Sequence, residues 1–201
     1  MQGQTTAEAR PTLDTKRLTL MSVRLRGHSG FVTVSFVKSA AVSWSLFLVP
    51  AHRLAQEHGR LGELAAQLAD LTAEPMRLPT VEQVLAALVS ADCHGDAWYR
   101  LEGLENPLPR CLDYARCDAE KGHDLGEVSL HCRQRDLAEP VHRDDLVECV
   151  SMRKPRAGAL PAAIALAGLG DPAIAFDDIG GEPFVVMPGQ RARDLTATWP
   201  W

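Results

Sequence analysis

The sequence predicts an α+β fold: an N-terminal antiparallel meander with helices packed on it, then a C-terminal β-hairpin. Three observations carry that expectation. Near the N-terminus apolar and polar residues alternate with a period of two, the pattern of half-buried strands. The period then changes to threes and fours, as on the buried face of an amphipathic helix. Towards the C-terminus two short apolar runs flank a Gly-Gly pair, which marks a tight hairpin.

In chain order, residues 1–16 read as a flexible tail and residues 17–201 as one α+β domain, with a candidate sub-boundary near 153–160. The meander consists of residues 18–25, 31–37 and 41–48. Met21, Val23 and Leu25 share one face of its first strand, and Val32, Val34 and Phe36 one face of its second. Val42, Trp44, Leu46 and Leu48 do the same on the third, and the connections "RGHSG" and "KSA" are hairpin-short. Residues 50–72 follow with Leu54, Leu61, Leu64, Leu68 and Leu71 at helical spacing. Gly59 and Gly62 weaken that helix by about 1 kcal/mol each relative to alanine. A second helix, 79–92, carries its own start signal, because Thr80 can cap and Gln83 completes a capping box. Residues 96–103 and 126–132 read as strands, 143–152 as a short helix, and 161–170 as a buried helix ended by Gly168 and Gly170. In the closing hairpin Pro183 puts the second strand at a sheet edge, since proline cannot donate to a ladder.

A chain of 201 residues, 46% apolar and 23% charged, is long enough for a sizeable core. Its net charge of −5 speaks against a general nucleic-acid coat. The charge is unevenly spread: residues 1–60 hold 8 Lys/Arg against 3 Asp/Glu, and residues 61–201 hold 13 against 23. An acidic partner would therefore meet the N-terminal strands, through Arg24, Arg26 and Lys38. Seventeen of the 21 basic residues are arginine, a composition that accompanies GC-rich bacterial genomes. The polar start lacks the apolar core of a secretory signal. The most membrane-like window, residues 31–50, contains Lys38 and alternates like strands. The expectation is a soluble cytoplasmic protein with no membrane partner. Five cysteines, an odd number, do not read as a disulfide framework.

Those five (Cys93, Cys111, Cys117, Cys132 and Cys149) fall within 57 residues, together with His94, His123, His131 and His142. If a metal is held there, the set read from the sequence is Cys111, Cys117, His123 and Cys132, and the metal is zinc, which takes thiolate and imidazole ligands. The spacing argues the other way. Five residues separate Cys111 from Cys117 and Cys117 from His123, whereas closed zinc sites use about two to four. Buried cysteine is also a common small hydrophobe. The expectation is no cofactor.

Other motifs fall short. "RGHSGF" lacks the last glycine and the following helix of a nucleophile elbow, so Ser29 reads as a hairpin-loop residue. Asp177, Asp178 and Glu182 read as a solvated hairpin tip. No dinucleotide fingerprint, P-loop or H-E-x-x-H is present.

Trp98 and Arg100, on one face of a strand, and the terminal Trp199 and Trp201 are of the types that anchor protein interfaces. The terminal pair either packs back on its own domain or engages a partner. The leading reading is a small binding or regulatory protein, an inhibitor or accessory factor, acting through protein–protein contact. The alternative is a metal-dependent or Cys/His enzyme with an atypical site within 93–149, drawn from His94, Asp96, Cys111, Cys117 and His123. A further alternative is a nucleic-acid-contacting accessory protein that uses the basic N-terminal sheet. The acidic remainder favours a protein partner over nucleic acid.

Overall fold

The computed structural model describes residues 20–27, 30–37, 44–55, 59–69, 77–103, 105–133, 135–136 and 138–201, the first two ranges as backbone only. Ser29, Lys38 and the expected tail 1–16 lie outside the described residues, as do the side chains of Arg24, Arg26 and Val34.

The architecture is α+β. Strand β1 (Leu20–Gly27) pairs antiparallel with β2 (Gly30–Val37), with Leu20 opposite Val37 and Gly27 opposite Gly30. The third strand of the meander, β3 (Ser45–Pro50), lies in another sheet. Its partners are β6 (Val147–Arg153) on one side and β7 (Ala173–Asp177) on the other. Burial explains this place. Leu46, Phe47, Leu48 and Val49 are buried in succession, so both faces of the strand are covered, as befits a central position. That sheet has six strands in the order β4-β5-β6-β3-β7-β8, where β4 is His94–Ala97, β5 Asp124–Cys132 and β8 Phe184–Val186. Only β4 and β5 run parallel; the other neighbours are antiparallel.

Helices cover both faces. On one, Leu46, Leu48, Val128, Leu130, Val150 and Met152 join Val84 and Leu88 of α3 (Val81–Ser90) and Leu160 and Ala163 of α5 (Ala159–Ala167). On the other, Phe47, Val49, Cys149 and Ile174 meet Leu54 of α1 (Ala51–Leu54) and Ala65 and Leu68 of α2 (Arg60–Ala69). The single helix expected over 50–72 is thus two, and Gly59, at φ +87°, immediately precedes the second. The capping box of α3 is present: Thr80 Oγ1 accepts from Gln83 N at 3.3 Å, and Gln83 Oε1 from Thr80 N at 2.9 Å.

The helix expected over 143–152 is replaced by strand β6. Val147, Cys149, Val150 and Met152 are buried while Glu148 and Ser151 are half-exposed, close to a period of two, and periodicity alone cannot settle so short an apolar run. The strand expected over 96–103 starts earlier, at His94, and ends at Ala97. The terminal hairpin forms as expected, with Ala173 opposite Val186, Gly180 at φ +92° in its turn, and β8 at the sheet edge after Pro183. No helix among the described residues is long and apolar enough to cross a membrane.

Candidate metal centre

The site forms where α3 hands the chain to the edge strand β4. Cys93 N donates to Leu88 O at 3.0 Å, and the buried Cys93 side chain plugs the joint. Gly95 then lets β4 press on β5: a Cβ there would sit 2.8 Å from Gly126 O. The pairing with β5 shifts register between His94 and Asp96, whose side chains are both half-buried.

A short helix the sequence reading did not anticipate, α4 (Tyr114–Ala119), supplies the other half. Asp113 caps it, accepting from Arg116 N at 3.0 Å. Tyr114 and Cys117 are three residues apart and so share one helix face. Each meets a residue of β4. The Tyr114 hydroxyl donates to Asp96 Oδ2 at 2.8 Å, and Cys117 Sγ lies 3.1 Å from His94 Nε2. Cys111, two residues before the cap, brings a second sulfur. The ligand atoms of His94, Cys111 and Cys117 all lie within 4.8 Å of one another. Among the described residues no fourth His, Cys, Asp or Glu joins them. Gly122 makes room for this arrangement, because a Cβ there would fall 2.6 Å from Cys117 Sγ.

Carboxylates and one arginine surround the trio. The Arg156 guanidinium lies 5.1 Å from the centre of the Tyr114 ring and 2.6 Å from Asp118 Oδ1. Asp124 is buried; its Oδ1 accepts from Gly126 N at 2.9 Å, and its Oδ2 accepts no hydrogen bond. Arg156 Nε, at 3.4 Å, is an ion-pair neighbour of that oxygen without hydrogen-bond geometry. Burial raises the Cys117 thiol, and so do its hydrogen bond with Cys111 and the charges of Asp124 and Asp118. The Tyr114 hydroxyl is raised chiefly by its bond to Asp96. A divalent cation would reverse this balance, because it stabilises thiolates directly.

The donor set fits zinc. Tetrahedral zinc with bonds of about 2.0–2.3 Å holds such ligands roughly 3.6 Å apart, and the three ligand atoms here lie within 4.8 Å of one another. One imidazole with two thiolates suits that soft-to-borderline ion.

Of the four ligands the sequence suggested, Cys111 and Cys117 come together, while His123 and Cys132 stay outside the group. The His123 ring uses Nδ1–H to donate to Ala91 O at 2.8 Å. Cys132 ends β5, eight residues beyond Asp124 and therefore roughly 26 Å along an extended strand. Its thiol is pushed up to about 12, mainly by burial, as are those of Cys93 and Cys149; these three are packing residues. His94 supplies the imidazole instead. The signal that finds it is the Asp113 cap followed by Tyr114-x-x-Cys117 on one helix face, set against His94-x-Asp96 on a strand.

The expected interaction residues fall in two groups. Trp98 is 60% exposed, and the exposed Arg100 donates through Nη2 to Ala138 O at 3.4 Å. Trp199 and Trp201 dock on their own chain. Phe184 and Trp199 meet edge to face at 5.1 Å, as do Trp199 and Trp201, and both tryptophans pack against the main core. No protein-family model, curated protein or solved structure matches the chain.

Proposed function

We propose that the chain is a zinc-dependent enzyme whose metal is held by His94 Nε2, Cys111 Sγ and Cys117 Sγ, with one position left for water or substrate. The observation that carries this reading is the convergence of three ligand atoms of the right kinds, within 4.8 Å, from a strand, a loop and a helix. Three protein ligands with an open position are the pattern of catalytic zinc, whereas structural sites are closed by four. A zinc held by these residues would act as a Lewis acid on the water or substrate at its open position. The Tyr114–Asp96 hydrogen bond has a positioning role: it holds α4 on β4 and thereby sets Cys117 against His94.

The test is metal content. Purified without chelator, the chain should carry one zinc per molecule, and His94→Ala or Cys117→Ser should lose most of it. Cobalt substitution should add thiolate-to-metal charge-transfer bands. Zinc below a tenth of an equivalent, or undiminished in both variants, sinks the proposal.

Trp98 favours a second reading, contact with a partner protein. An indole 60% exposed, two residues from Arg100 in the sequence just past β4, has the composition of an interface anchor. A partner recovered by the wild-type chain should be lost with Trp98→Ala; equal recovery would exclude this surface.

A further inference from the structure

We infer that Cys111 and Cys117 form an oxidative modification site, a thiol pair that hydrogen peroxide converts to a disulfide. The inference needs only the two sulfurs and goes beyond the zinc reading. All five cysteines are free thiols, but they differ in access. Cys93, Cys132 and Cys149 are 1%, 8% and 9% exposed, packed among core side chains where an oxidant does not reach them. Cys111 and Cys117 are partly exposed, and their sulfurs lie within 4.8 Å of each other.

A disulfide requires about 2.05 Å between sulfurs, so the pair must close further. The local structure permits it. Cys111 sits in an irregular segment beside Leu112, which is 97% exposed, and α4 contains no buried residue. This piece of chain can therefore shift by an ångström or two without opening the core. Only five residues separate the two cysteines, so little further loop closure is needed.

The chemistry balances with peroxide as the oxidant. One thiolate attacks a peroxide oxygen, forming a sulfenic acid as the O–O bond breaks and hydroxide leaves. The second sulfur attacks the sulfenic sulfur, the S–S bond forms, and the sulfenic oxygen departs as water. In sum two thiols and one peroxide give a disulfide and two waters; sulfur loses two electrons and peroxide gains them. A disulfide cannot donate as thiolate, so where zinc is bound the same step removes two of its three ligands and releases it.

The experiment uses the full chain, reduced, stripped of metal with a chelator and treated with a few equivalents of hydrogen peroxide. Trypsin cuts after Arg110, Arg116 and Lys121, so the two cysteines fall on separate peptides, 111–116 and 117–121. The expected product is those peptides joined by a disulfide and lighter than their sum by two hydrogens. Cys93, Cys132 and Cys149 should remain alkylatable once the chain is unfolded. In Cys111→Ser, Cys117 should stop at a sulfenic acid that dimedone traps. Sulfinic acids at both positions without the linked peptide, or faster oxidation of a buried cysteine, would overturn the inference. A parallel sample with equimolar zinc separates this result from the metal proposal. At least tenfold protection with zinc release supports both, whereas disulfide formation at an unchanged rate keeps the thiol pair and removes zinc.

Discussion

The indole N–H of Trp201 donates to Asp177 Oδ2 at 3.0 Å. That bond ties the last residue of the sequence to β7, and the carboxylate is further held by Gly181 N at 2.8 Å and Ile179 N at 3.1 Å. Asp177 is thus the hub of the hairpin turn rather than a merely solvated tip residue. Its neighbour Asp178 accepts from Ser45 N at 2.9 Å and stitches the same turn to the start of β3.

These donors give stability a definite pH dependence. Burial raises the Asp177 carboxyl, but the hydrogen bonds from Gly181, Trp201, Ile179 and Gly180 together outweigh it and hold the group below its ordinary value. A depressed folded pKa means that the contribution is fully present above the unfolded value, about 3.9, and fades as pH falls through the folded value. Urea denaturation from about pH 6 down to about pH 3 should therefore show wild type losing its lead over Asp177→Asn at the acid end. A gap that stays constant across that range would show that the carboxylate's charge is not what the turn uses.

Leu46 is completely buried in β3, opposite Met152 on β6 and Asp177 on β7. Leu46→Asp places a charge among apolar core side chains and should cost at least about 3 kcal/mol, or unfold the chain. Ile179→Ser, at an exposed turn position, should stay within about 0.5 kcal/mol of wild type. Chemical denaturation of the two variants side by side measures the contrast. A mild effect at Leu46 would contradict its central place in the sheet.

The α3 capping box gives a smaller effect of known sign. Thr80→Ala removes the acceptor for Gln83 N and the constraint that returns Gln83 to the Thr80 amide. The expected loss is about 1 kcal/mol, or about 3 °C in Tm for a chain of this size, with Thr80→Ser close to wild type. Thermal melts of both variants check it.

What the sequence made legible was local in origin. The Thr80–Gln83 box, the Gly180 turn and the edge strand after Pro183 depend on neighbouring residues, and each forms. Long-range choices were harder. Whether β3 pairs with β2 or with β6 and β7 depends on partners more than 90 residues away, and only its uninterrupted apolar run hints at a central position. Residues 147–153 carry too short an apolar run for periodicity to tell helix from strand. At the candidate site, Cys111 and Cys117 could be picked out by type. His94 belongs with them to the wider set read within 93–149. Only α4, which turns Cys117 towards β4, makes His94 and not His123 the imidazole of the group.

Gly122 tests that geometry most directly. A methyl group there would lie 2.6 Å from Cys117 Sγ, too close for either atom, yet 3.5 Å from His94 Cε1, an ordinary contact. The crowded sulfur is the end of a side chain, so Gly122→Ala can be relieved by swinging Sγ away while the backbone stays in place. Stability of the metal-free chain should change by no more than about 1 kcal/mol. Zinc affinity should fall at least tenfold, about 1.4 kcal/mol, because one ligand has left its position. Competition with a chromophoric chelator reads the affinity, and urea denaturation of the same samples reads the fold. A variant that keeps wild-type zinc affinity would remove Cys117 from the ligand set. One that loses affinity only along with its fold would assign Gly122 to backbone packing instead.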